Sequence, residues 1–160
     1  MKSLLRNCLS VGAALFVLGA PACDYFLNDV FPENVRELER HVFDRANAAR
    51  AENGLEAMVW NDAIANAARD HSKDMAEGTV PFGHDGFADR FASINLLIPA
   101  SAGAENIAYA PSADPAFNLW WDSTEHRNNI LGDYDYTGVG VAWSAAEGFY
   151  YFTEIFIRAR

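Results

Sequence analysis

The C-terminal quarter of the chain constrains the fold most. "TGVGVAWS" (137–144) and "GFYYFTEIFIRA" (148–159) are rich in β-branched and aromatic residues, and "AAEG" between them has the composition of a hairpin turn. They read as two antiparallel strands. The chain before them follows a different period. In "ENVRELERHVFDRANAARAENG", Val35, Leu38, Val42, Ala46 and Ala49 recur at helical spacing, which predicts a helix over 33–52 with a stop at Asn53-Gly54. Asn61-Asp62 opens a second helix to about Glu77, with Ile64, Ala68, His71 and Met75 on one face and Gly78 at its end. "MVW" (58–60) between the two is extended and can add a third strand. "FADRFASINL" is a further short helix. "AENIAYAPSADPAFNLWWDS" begins irregular and becomes helical near Asp114-Pro115, since proline is tolerated in a first turn. Asp122 or Ser123 caps a short helix, "TEHRNNIL", that Gly132 ends. Helices first and a hairpin last predict an α+β domain, a small antiparallel sheet covered by helices.

The 160 residues suit one domain. Residues 1–22 have a basic start at Lys2 and Arg6, an apolar run "CLSVGAALFVLGA" and a small-x-small "APA", the pattern of a cleaved export signal. The expected layout is a signal peptide over 1–22, a lead-in over 23–34 and the domain over 35–160. The two cysteines are Cys8 and Cys23, so the folded domain has no disulfide. Cys23 would become the first mature residue, and two readings stand side by side: free export, and a lipid anchor on Cys23. No later apolar run reaches the ~20 residues of a membrane helix. The net charge of −10 opposes binding to nucleic acid or to anionic membrane surfaces. Half the chain is hydrophobic, 51%, enough for a packed core without disulfides.

Candidate chemistry rests on local context. The histidines are His41, His71, His84 and His126, without an HExxH or CxxC pattern. His84 lies in the glycine-bounded loop "FGHDGF", Glu105 in "GAENIA" and His126 in "STEHRNN". Two histidines and a carboxylate can bind a divalent metal such as zinc, or poise a water for general-base chemistry. Plainer roles compete: Glu105 can cap a helix or pair with Arg127, and His126 can bond backbone near the Gly138–Gly140 strand. His71 faces inward by periodicity and reads as a buried, hydrogen-bonded core histidine, while His41 reads as solvated. Ser123 reads as a helix cap rather than a nucleophile. Trp120, Trp121, Trp143, Tyr150, Tyr151 and Phe152 offer an aromatic cleft, or a core on one face and surface on the other.

These motifs, in order, resemble the CAP superfamily of cysteine-rich secretory proteins, antigen 5 and pathogenesis-related proteins, in its short bacterial form. "NAARAENGLEAMVWNDAIANAARDHSKDMA", "FGHDGFADR", "AENIA", "WWDSTEHRNNIL", "YTGVGVAW" and "YYFTEIF" carry the resemblance, over about 35–157. Singly each is weak; in order they are specific. The resemblance implies an α-β-α sandwich with an open cleft lined by two histidines and two glutamates. By motif His84, Glu105 and His126 fill three of these places. The second glutamate is not matched: Ser123 stands at about its position, and Glu125 adjoins His126 without taking over the role.

The expected function is that of an exported monomer whose cleft, lined by His84, Glu105 and His126, binds a small-molecule, lipid-like or extended peptide ligand. His84 and His126 would hold a weakly bound zinc ion that folding does not need. The alternative is a metal-dependent peptidase or esterase using the same cleft. The missing acid and the lack of a nucleophile favour binding. Fold alone does not decide between them.

Overall fold

The computed structural model describes residues 34–160; the export-signal reading and most of the lead-in lie outside them. Helix α1 spans Val35–Glu52. The Asn34 side chain caps it by accepting from the Arg36 amide, and Leu38, Val42, Ala46 and Ala49 are buried. After strand β1 (Val59–Trp60), helix α2 (Asp62–Ala76) is capped by Asn61, whose side chain accepts from the amides of Ala63 and Ile64. Its buried stripe is Ile64, Ala65, Ala68, His71, Ser72 and Met75. The expected extents of both helices hold to within a residue or two.

Helix α3 (Phe87–Leu97) starts after Gly86, whose φ of 77° lies in the left-handed region that glycine favours. Strand β2 (Ala100–Ala110) follows, then α4 (Ala113–Asp122), α5 (Thr124–Ile130), β3 (Tyr136–Ser144) and β4 (Phe149–Ala159). β2 corrects the reading of "AENIAYA" as irregular. The segment lies in an eleven-residue strand, paired with β4 with one register shift between Ala100 and Ala102. Its alanines and glycine carry weak strand propensity, so the pairing comes from tertiary contact.

The sheet order is β1-β3-β4-β2. Its three long strands are antiparallel, and β1 adds a short parallel pair with β3. β4 is central and buried from Tyr150 to Ile157, because helices cover both faces. One layer, from α1, α4 and α5, packs Leu38, Val42, Phe117, Trp120 and Ile130 against Val139, Phe152 and Phe156. The other, from α2 and α3, packs Ile64, Ala68 and Ile94 against Ile155 and Ile157. The result is the expected α-β-α sandwich.

The Gly-Val-Gly step of β3 has a steric cause. α2 lies directly on it. A Cβ at Gly138 would stand 2.2 Å from the Ala65 nitrogen, and one at Gly140 2.1 Å from the Arg69 nitrogen. Ser72 Oγ, 2.9 Å from the Gly140 carbonyl and 2.8 Å from Thr153 Oγ1, ties helix to sheet at the same place.

Candidate functional site

The edge strand β2 organises the site. Successive side chains of a strand point to opposite faces. Glu105 pairs in register with Ile155 and so shares the α2–α3 face, while Asn106 pairs with Glu154 and shares the α4–α5 face. From these two faces Glu105 reaches His84 and Asn106 reaches the His126 backbone.

On the first face, Glu105 is 5% exposed and surrounded by cations and donors. Arg90 of α3 grips it bidentately, Nε to Oε2 at 3.0 Å and Nη2 to Oε1 at 2.8 Å. His84 Nδ1 lies 3.0 Å from Oε1. The carboxylate accepts, so Nδ1 carries the proton and Nε2 keeps its lone pair in the neutral ring. The His84 side chain is half-exposed at 51%. Arg90 also donates from Nη1 to the Asp85 carbonyl at 2.8 Å, fixing the loop that carries His84.

His71 lies beneath this cluster. It is 3% exposed, and its Nε2 donates to the Gly83 carbonyl at 2.9 Å. The ring is also 4.0 Å from Glu105 Oε1. Burial and the neighbouring Arg90 charge lower its pKa below the usual histidine value. The inward-facing, hydrogen-bonded reading of His71 is what the structure has. His41 is half-exposed and pairs with Asp114 of α4 at 2.9 Å.

On the second face, Asn106 is fully buried. Its Nδ2 donates to the His126 carbonyl at 3.0 Å, and its Oδ1 accepts from Asn129 Nδ2 at 2.8 Å. Both partners belong to α5, so one strand residue places that short helix. Ser123 Oγ caps it by accepting from the His126 amide at 3.4 Å, the role expected from sequence. His126 is partly buried. Desolvation, then the nearby His84, lower its pKa, against a smaller raising effect of Glu125. Its backbone contacts go to β2 and its own cap rather than to the Gly138–Gly140 strand.

The plainer pairing of Glu105 with Arg127 is replaced: Arg127 donates to the Trp121 carbonyl at 2.7 Å, and Arg90 takes Glu105. Beside His126 runs an apolar groove of about 470 Å³, lined by Phe82, Ile107, Tyr109, Leu119 and Trp120 among others. Phe82 and Tyr109 meet edge-to-face at 5.3 Å. Of the aromatics read from sequence, only Trp120 lines this groove; Tyr150 and Phe152 are core and Trp143 is exposed. Sequence reasoning missed Arg90, Asn106, Phe82 and Tyr109. Arg90 had one signal, its place six residues after His84 in "FGHDGFADR".

Among the described residues, no group of three or more His, Cys, Asp or Glu side chains is placed to hold an ion. Glu105 is saturated by Arg90 and His84, so it serves as an orienting partner rather than a ligand. A histidine held at one nitrogen by a carboxylate, with the other nitrogen free, is the usual arrangement of a metal-ligating imidazole.

Comparison with known proteins bears on this geometry. Over 127 residues the chain is 32% identical to the uncharacterized membrane protein YlbC of Bacillus subtilis, covering 75% of this chain and 34% of YlbC. It is 28% identical to YkwD of the same organism over 116 residues, covering 70% of this chain and 44% of YkwD. The chain thus spans less than half the length of these relatives. Among solved structures, an extracellular protein with an SCP domain from Bacillus anthracis superposes with a TM-score of 0.64 at 28% identity, over 77% of this chain and 41% of that one. An outer surface protein from Borrelia burgdorferi superposes with a TM-score of 0.69 at 14% identity, over 79% of this chain and 96% of that one, a likeness of fold. The model of the cysteine-rich secretory protein family, CAP, matches residues 43–156, and the chain belongs to that family.

Proposed function

We propose that this CAP domain is a binding module whose cleft takes a divalent metal on His84 and His126 and an apolar, lipid-like or extended ligand in the neighbouring groove. The observation that carries the reading is the His84–Glu105–Arg90 chain. It fixes one tautomer of a half-exposed imidazole and keeps Nε2 out of the carboxylate contact. Nothing about a core histidine requires that arrangement. Bound zinc would supply Lewis acidity and a polarised water. The chain's own contribution is to orient His84 through Glu105, to place His126 through Asn106, and to flank His126 with apolar surface.

Binding is favoured over hydrolysis by the state of the carboxylate. Arg90 occupies both oxygens of Glu105 and His84 shares one of them, so the carboxylate is engaged in ion pairs rather than open to a water. Ser123 Oγ is engaged as a cap. Two imidazoles without a thiolate or a third protein ligand support reversible binding rather than a structural metal. The test is calorimetric titration with zinc at pH 7.5 and 5.5 on the wild type, His84→Ala and His126→Ala. We expect binding at pH 7.5, weaker binding at pH 5.5 because protonated imidazoles cannot coordinate, and loss in both variants. Equal affinity in all three proteins would remove the metal from the cleft.

The same reading places the domain outside the cytoplasm, with a mature chain beginning at Cys23, free or lipid-anchored. The signal pattern over 1–22 supports it, as do the extracellular and outer-surface descriptions of the structural relatives. Mass spectrometry of the native protein separates the two forms, and retention of Met1 in a cytoplasmic fraction would overturn both.

A further inference from the structure

A second depression lies between α1, β1 and α2 and shares no lining residue with the apolar groove beside His126. Its volume is about 520 Å³, and Arg36, Glu39, Arg40, Trp60, Asn66 and Arg69 line it. From this arrangement we infer a binding site for a small oxyanion, a phosphate group presented to the guanidinium edges of Arg36 and Arg40.

The charges are layered. Glu39 is 1% exposed and sits at the base. Its two oxygens accept from Arg69 Nε and Nη2, both at 2.8 Å, and Oε2 also accepts from Arg36 Nη1 at 3.1 Å. Arg69 Nη1 donates to Asn66 Oδ1 at 2.6 Å. The acid therefore anchors two arginines from beneath, and all three nitrogens of Arg69 are occupied. Asp62, also on the lining, accepts from the Trp60 indole at 2.8 Å.

Arg40 differs. Its guanidinium lies 5.0 Å from the Trp60 ring and 5.4 Å from Phe43. Among the described residues it has no carboxylate partner. Stacking on an aromatic face fixes the guanidinium plane and leaves its N–H edges free for a planar or tetrahedral oxyanion. Arg36, 59% exposed, bonds through Nη1 and keeps Nε and Nη2 available. Even counting Glu39 and Asp62 as full negative charges, the three arginines leave the pocket net positive on a chain of net charge −10. That overall charge repels extended polyanions, so the fitting occupant is a single compact phosphate. Arginine forks bind such a group through paired, charge-assisted hydrogen bonds.

The site can be tested on the 15N-labelled domain by following the Trp60 indole resonance, assigned with Trp60→Phe, during titration with inorganic phosphate. A saturable shift with a dissociation constant of about 1 mM or tighter is expected. Arg40→Gln, at an exposed position, should weaken binding at least about tenfold with the spectrum still dispersed, as should Arg36→Gln. Arg158→Gln, which removes the same charge elsewhere, should leave it unchanged. Sedimentation with phosphatidylcholine vesicles, with and without phosphatidic acid, distinguishes the source. Arg40-dependent retention on the acidic vesicles assigns the phosphate to a lipid headgroup, and a shift with free phosphate alone assigns it to a soluble compound. Absence of a saturable shift, or equal weakening by Arg40→Gln and Arg158→Gln, overturns the inference.

Discussion

Arg90 holds Glu105 by both carboxylate oxygens, Nη2 to Oε1 at 2.8 Å and Nε to Oε2 at 3.0 Å, while His84 shares Oε1 at 3.0 Å. The arginine and the histidine compete for one buried anion. Arg90→Ala removes the stronger partner and leaves a charge that is 5% exposed with only an imidazole beside it. Breaking such a pair costs about 3–5 kcal/mol. Urea unfolding should show that loss. Arg90→Lys should recover part of it, since the charge returns without the fork.

The contact of β3 with α2 predicts a steric contrast among glycines. Gly140→Ala places a Cβ 2.1 Å from the Arg69 nitrogen and 2.2 Å from the Ala68 carbonyl carbon, both backbone atoms. Rotamer changes cannot relieve this, so the sheet and helix must separate. The cost should be at the top of the overpacking range, about 3 kcal/mol or more. Gly148→Ala has a φ of +72° but open space around it, so it should cost only about 1–2 kcal/mol of backbone strain. Denaturation midpoints of the two variants, compared directly, check the ordering.

Glu154 is fully buried in β4. Its Oε1 accepts from Thr137 Oγ1 at 3.1 Å, and its Oε2 has no partner among the described residues. Burial pushes its pKa from 4.5 to about 8, against the lowering effects of Thr137 and Arg50. The folded state thus holds a proton that the unfolded chain releases near 4.5. This contribution to stability is full below pH 4.5 and is lost as pH rises toward 8. Glu154→Gln mimics the protonated acid. It should flatten the stability profile between about pH 5 and 8 and stabilise the fold at pH 8 by on the order of 1–3 kcal/mol. An unchanged profile would show that Glu154 is ionised in the fold.

His71 and His126 act in the opposite direction. Both pKa values are lowered, first by burial and then by Arg90 and His84 respectively. Their stabilising effect is present above the unfolded value of about 6.5 and declines as pH falls below it. His71→Ala should destabilise by about 1–3 kcal/mol at pH 7.5, through a cavity and the orphaned Gly83 carbonyl. The deficit should narrow by pH 5.5. Thermal melts at the two pH values test this. A constant deficit would assign the effect to packing alone.

Asn106→Ala would release α5 from β2. Because Asn106 touches His126 only through the backbone carbonyl, the imidazole itself is unaltered. Zinc affinity should fall about tenfold or more, and His126 should become more mobile. Calorimetry and the His126 ring resonances provide the readouts.

The helices were legible because buried stripes such as Leu38, Val42, Ala46 and Ala49 repeat at the helical period between clear caps. The β3–β4 hairpin was legible from its aromatic and β-branched residues. β2 was not: "ASAGAENIAYA" is rich in small residues of weak strand propensity, and the one steric reason among them is local, a Cβ at Gly103 lying 2.6 Å from the Phe91 ring. His84, Glu105 and His126 stood out by local context and by family resemblance. Arg90 and Asn106 did not, since their partners are 15 and 20 residues away and only the fold brings them together. Both are ordinary polar residues in sequence. Their roles come from the face of β2 that Arg90 meets and the opposite face from which Asn106 reaches α5.

The position of β2 at the sheet edge has a consequence for local opening. It has one strand neighbour, β4, yet it carries both Glu105 and Asn106. Edge strands open at lower free energy than central ones. One local excursion of β2 would therefore take the support from His84 and from α5 together, leaving the rest of the sheet paired. Anything bridging the two histidines works against that excursion. Amide hydrogens of β2 should accordingly exchange more slowly when the cleft is filled, while those of β3 and β4 change little. The edge strand would thus be a built-in reporter of occupancy, readable without any knowledge of what occupies the cleft.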